Sequence, residues 1–100
     1  MVMPTPQERL ENYSRSHPQE VLRLTVRDRD GEGEVLVYKG FTSSLTQATA
    51  FDPDVAVLTP EAEILWVDRI QAPYHPQHIH YLEQNLGWTE FSQRLEQAGF

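Results

Sequence analysis

One hundred residues supply one modest core and leave no room for two domains. A hydrophobic share of 39% marks a folded globule, and a formal net charge of -7 speaks against broad phosphate contact, so nucleic acid is excluded as a partner. The chain has no cysteine, which removes disulfides, thiolate zinc sites, iron–sulfur clusters and cysteine nucleophiles and suits a reducing cytosol.

The opening MVMPTPQERLENYS lacks the basic and apolar regions of a signal peptide, and the apolar runs are far shorter than the roughly 20 residues that span a bilayer. The expectation is a cytoplasmic protein without an integral membrane segment, with peripheral membrane contact left open. Thr5-Pro6-Gln7-Glu8 announces a helix over residues 6–15: Thr5 caps, Pro6 has its φ preset, and Glu8 can close a capping box. Its apolar stripe is thin (Leu10, Tyr13), which predicts a position at the edge of the fold, and Pro18 ends it. Residues 20–28 alternate, with Leu22, Leu24 and Val26 facing one way and Arg23, Thr25 and Arg27 the other. Residues 34–39 form a second β-rich run, and the glycine-containing stretch between them predicts an antiparallel hairpin.

Residues 40–58 are too long for a structureless loop in so small a domain, which predicts short strands near 41–45 and 55–58 around a turn at Asp52-Pro53-Asp54. Thr59-Pro60-Glu61-Ala62 then reads as a capped turn before a strand over 63–70, apolar on both faces and therefore central. Pro73 and Pro76 impose an extended crossing, followed by a short helix near 77–85. Trp88, Phe91, Leu95 and Ala98 carry the helical period of the last element, with Gly99 as its C-terminal cap. The fold class is α+β: a small antiparallel sheet of three to five strands, a partly closed barrel among its forms, with a short N-terminal helix and a C-terminal helix packed on it. The domain spans 1–100, divided into a helical arm (1–18), the sheet (20–70) and a helical C-terminal segment (77–99).

The run EVLVYKGFTSSL, then AFDPDVAVLTPEAEILWVDRIQAPYHP, then YLEQNLGW and an amphipathic helix, resembles a family of small conserved cyanobacterial and chloroplast proteins of unassigned function. The resemblance covers residues 20–97. It implies a setting in oxygenic photosynthesis and brings no catalytic residues.

Four stretches could carry chemistry. Counting Asp28 as position 1, Asp30, Glu32, Gly33 and Glu34 copy the first half of an EF-hand calcium loop. Position 12, where a bidentate glutamate closes the sphere, is Lys39, so an acidic hairpin tip is favoured and Asp28, Asp30 and Glu32 remain only residual metal candidates. In HPQHIH, His78 and His80 would lie about 200° apart on a helix and could share an ion only on a strand. GFTSSLTQAT offers hydroxyls at Thr42, Ser43, Ser44, Thr46 and Thr49 without the glycine pattern or Lys-Ser/Thr pair of a phosphate loop. A Ser-His-Asp set from Ser43 or Ser44, a histidine and Asp68 lacks a nucleophile elbow. In WVDRI, Asp68 is expected to hold the following turn and Arg69 to bridge an acidic neighbour. An interaction surface is expected where Lys39, Gly40, Phe41, Ser43, Ser44 and Leu45 approach Arg69 and Tyr74, a composition of aromatics and arginine beside an adaptable loop.

The expectation is a non-enzymatic module that binds another protein and needs no cofactor, and that assembles or regulates the photosynthetic apparatus. The alternative is a small-ligand or anion-binding domain, or an enzyme, built on the hydroxyl-rich residues 40–49 with His75 and His78.

Overall fold

The computed structural model describes residues 5–28, 31–44 and 62–100. The expected strand near 55–58, the turns at 52–54 and 59–62, and Leu45, Thr46 and Thr49 lie wholly or partly outside them. Among the described residues the elements are α1 (Pro6–Ser16), β1 (Glu20–Asp28), β2 (Gly31–Tyr38), β3 (Phe41–Ser44), β4 (Glu63–Gln71), β5 (Tyr81–Gly87) and α2 (Trp88–Gln97). The strands form one antiparallel sheet in the order β3-β2-β1-β4-β5. It is an open sheet with β3 and β5 at its edges; no barrel closes. Both helices cover the same face.

The hairpin is the one that the alternation predicts, with Leu22 opposite Val37 and Asp28 opposite Gly31. Gly31, at φ 117, takes a backbone conformation that other residues avoid, which is how the chain reverses there. Leu22, Leu24 and Val26 of β1 join Val35 and Val37 of β2, Ile64 and Val67 of β4 and Leu86 of β5 beneath Leu10 of α1 and Phe91 and Leu95 of α2. Each such side chain, fully buried, stabilises the fold by about 1.5–3 kcal/mol. Tyr13 joins the helices, its ring 5.6 Å from Phe91 and 5.9 Å from Phe100 in edge contacts.

At the start of α1 the Glu8 amide donates to Thr5 Oγ1 at 3.2 Å, as the cap predicts. The helix is less peripheral than its thin stripe suggests, because polar contacts seat it. Ser14 is buried, its Oγ accepting from the Gly40 amide at 2.8 Å, and Thr42 Oγ1 donates to Glu11 at 2.7 Å. Arg9 adds bonds to the carbonyls of Ser92, midway along α2, and of Phe100, just past its C-terminal end. That end closes as a Schellman motif: Phe100 N–H reaches Leu95 O at 2.7 Å and Gly99 N–H reaches Glu96 O at 3.1 Å, with Gly99 at φ 90.

Two expectations are corrected. The helix near 77–85 is instead a turn over residues 76–78 followed by strand β5, paired to β4. Ile79, Leu82 and Leu86 repeat at a helical interval, but a register shift and the left-handed Asn85 (φ 56) break the period of two that would have announced a strand. The helical C-terminal segment therefore narrows to α2. Within β4, a bulge opposite Thr25 and Val26 leaves Leu65 without a ladder partner, so Ile64 and Val67 share the core face and Trp66 emerges on the other. Unbroken alternation over 63–70 would put Ile64 and Trp66 on the same face.

Candidate functional site

The face of the sheet opposite the helices can be read row by row from the register. Tyr38 pairs with Phe41, Val21 with Ile70 and Ile70 with Tyr81, and the Leu22–Val37 pair places Val21 beside Tyr38. One row thus runs Phe41, Tyr38, Val21, Ile70, Tyr81 across all five strands, about 19 Å at ~4.8 Å per strand. The next row is Ser43, Leu36, Arg23, Asp68, and the one after it is Glu34, Thr25, Trp66, Gly87. Arg27, between Glu32 and Glu63, completes the face. Val21 and Ile70 are buried, whereas Phe41 is 79% exposed, Trp66 42% and Tyr81 36%. Large exposed rings on one sheet face, with both helices on the other, define the candidate site.

Its middle is locked. Arg23 donates to Asp68 Oδ2 at 3.0 Å and to the Tyr81 hydroxyl at 2.6 Å, and its guanidinium lies 5.4 Å from the Tyr81 ring. Burial works against the Arg23 charge, but bonds to Asp68, Tyr74 and Tyr81 outweigh it and hold the guanidinium pKa above its ordinary value. Tyr74 therefore brings the connection between β4 and β5 against this face. Asp68 Oδ1 accepts the Asn85 amide at 2.8 Å. The buried Asp68 thus ties β4 to β1 and β5 rather than holding the turn that follows it, the role expected, and its oxygens bond Arg23 and Asn85. Among the described residues Asp68 bonds Arg23 and Asn85 rather than a histidine, so the Ser-His-Asp set gains no support.

The predicted interaction residues divide between two faces. Phe41 and Ser43 lie on the open face by register, Ser44 pairs with Val35 in β3, and Tyr74 approaches through Arg23. Lys39 and Gly40 form the turn between β2 and β3, both at positive φ, with Lys39 Nζ 5.2 Å from the Tyr38 ring. Gly40 is buried against α1, and a Cβ there would meet Arg15 Nε at 2.5 Å. Leu45 lies outside the described residues.

Arg69 is misplaced in that expectation. It pairs with Leu22 on the helix face, three strands from β3, which is about 14 Å. Its Nε donates to Glu20 at 2.7 Å and its Nη1 to Glu83, which also accepts from Arg94 at 2.7 Å. The buried Glu20 carboxylate accepts the Tyr13 hydroxyl as well, at 3.1 and 3.2 Å. The bond to Glu20 and that to Glu83 hold the Arg69 pKa up against its partial burial. Bonds from Arg94 and then Arg69 hold the Glu83 carboxyl below its usual value. Burial, reinforced by Glu20, pushes the Tyr13 phenol up. The acidic neighbour expected for Arg69 is thus real, and it ties the sheet to the helices.

His75, Pro76, Gln77 and His78 border an open depression on the β4–β5 connection, with His75, His78 and His80 all solvent-exposed. Among the described residues, no three His, Asp or Glu side chains converge as metal ligands would. Of the calcium candidates, Asp28 and Glu32 lie on the two strands of the hairpin, while Asp30 falls outside the described residues. Sequence reasoning missed Trp66, Tyr81 and Arg23 as members of one face. The alternation of β1 already put Arg23 opposite the core; the unseen bulge hid Trp66.

Fold and site together define a small α+β module: two helices on one side of an antiparallel sheet and an aromatic face on the other. The chain belongs to the family described as a domain of unknown function, DUF7734, whose model matches residues 7–95. No curated protein and no solved structure matches it significantly.

Proposed function

We propose that this domain is a non-enzymatic protein-binding module that receives its partner on the open sheet face. The observation that carries the reading is the exposure of Phe41, Trp66 and Tyr81 on that one face. Exposed aromatics beside arginine are the groups that dominate binding energy at protein interfaces, because they bury large area at low entropic cost. The locked Arg23–Asp68–Tyr81 set supplies a rigid centre, so little ordering is lost on docking. The net charge of -7 supports a protein rather than a nucleic acid as the partner. Likeness to cyanobacterial and chloroplast proteins supports a component or assembly intermediate of the photosynthetic apparatus as the partner, with the domain assembling or regulating it from the cytoplasm.

Affinity capture from a cyanobacterial lysate, comparing the natural chain with a Phe41→Ser/Trp66→Ser double variant, tests this reading. A partner retained by the natural chain and lost by the variant is expected. Equal capture by both, with loss on substituting exposed α2 residues such as Gln93 and Gln97, would move the site to the other side of the molecule.

A further inference from the structure

The reading above leaves the chemistry of the partner open. Resting on it, we infer that the Trp66 end of the face receives an extended, arginine- or lysine-rich segment of the partner protein. The β4 bulge turns Trp66 outward beside Thr25, whose small side chain leaves the indole face accessible, and Trp66 is 42% exposed. Tryptophan is the side chain whose ring face attracts a cation most strongly. Carboxylates surround it. Glu63 lies in the adjoining row of β4 and Glu34 two strands away across Thr25, about 10 Å at the spacing of a sheet.

Among the described residues Glu63 pairs with Arg27, at 3.4 Å, and the two side chains are 65% and 54% exposed. A solvated pair of this kind is weak and exchangeable. An incoming guanidinium stacked on Trp66 can take Glu63, which leaves Arg27 opposite Glu32 in the hairpin register. The Arg23–Asp68 pair next to this row is already neutralised, so the end of the face stays acidic and its centre adds no competing cation. The same charge disfavours a second copy: two such faces would oppose like charges in a chain of net charge -7.

A short fluorescein-labelled peptide of alternating arginine and glycine, titrated with the full chain and followed by anisotropy, tests the inference. A glutamate–glycine peptide serves as the charge-reversed control. Trp66→Ala leaves the charge unchanged and is expected to weaken binding about three- to tenfold, with Trp66→Phe recovering part of the loss. Glu63→Gln is expected to weaken it more than Glu96→Gln, which changes the net charge equally on the exposed side of α2. All three sites are exposed, and circular dichroism verifies that each variant is folded. Equal effects of the two glutamine variants with no effect of Trp66→Ala would reduce binding to overall charge and overturn the inference. So would tighter binding of the acidic peptide, or a dimer that Trp66→Ala dissociates. Loss of the captured partner in Phe41→Ser/Trp66→Ser without any binding of the basic peptide would refute the inferred chemistry and leave the face itself standing.

Discussion

Substituting Arg69 by alanine separates the architecture of the helix face from the proposed binding face. Glu20 is 4% exposed, and its carboxylate is satisfied by Arg69 Nε at 2.7 Å and by the Tyr13 hydroxyl. Removing the guanidinium leaves a buried carboxylate with one neutral donor and frees Glu83 from one of its two arginines. Breaking a buried pair from one side costs about 3–5 kcal/mol, and the quarter-exposed Arg69 side chain places this case at the lower end, about 3 kcal/mol. For a domain of this size that corresponds to a fall in Tm of roughly 12–24 °C. Replacing both partners by apolar groups, Glu20→Leu with Arg69→Met, should recover much of the loss, because no unpaired charge remains. Urea unfolding of the two single variants and the double variant measures the coupling. A loss below about 1 kcal/mol in Arg69→Ala, or a double variant as unstable as the sum of the singles, would refute the assignment. At temperatures where Arg69→Ala is folded, partner capture should be unaffected, since Arg69 is on the helix face.

Phe91→Ala removes the largest fully buried side chain among the described residues, between the sheet and Tyr13, and should cost about 3–5 kcal/mol by urea unfolding. Gly40→Ala should destabilise by about 1–3 kcal/mol, since φ is 84 and the added Cβ meets the Arg15 side chain; thermal melting checks it. Glu83 is held below 4.5 in the fold, so its contribution is complete above the unfolded value and fades as pH falls through the folded one. Stability of Glu83→Gln should accordingly show a flatter acid limb than that of the natural chain. Tyr13 is raised above 10.0, so the fold retains a proton that the unfolded chain releases; stability should drop as pH climbs past 10.0, and less steeply in Tyr13→Phe.

Local signals made much of the architecture legible. Thr5 and Pro6 start α1, the alternation of β1 builds the hairpin, and Gly99 closes α2 as its placement after Leu95 requires. Residues 77–85 misled because a strand interrupted by a left-handed Asn85 loses its period, and the pairing with β4 that decides its conformation is a long-range fact. The seating of α1 was hidden for a related reason. Ser14, Glu11 and Arg9 look like a solvated helix surface until Gly40 of the β2–β3 turn, Thr42 of β3 and the carbonyls of Ser92 and Phe100 arrive to bond them. The site was half visible: Phe41 and Tyr74 belong near the face, whereas Arg69 points away from it. One bulged residue, Leu65, set the facing of Trp66, and composition carries no trace of a bulge.

The chain carries two tryptophans, one on each side of the sheet, and their indole N–H resonances report separately on the two faces. Trp66 lies on the open face and Trp88 packs against the core beneath the helices. Heteronuclear NMR of the labelled protein, recorded with and without its captured partner, therefore tests the binding face directly. Binding on the open sheet face predicts that the Trp66 resonance shifts or broadens on complex formation while that of Trp88 holds its position. A shift confined to Trp88, with Trp66 unmoved, would contradict it.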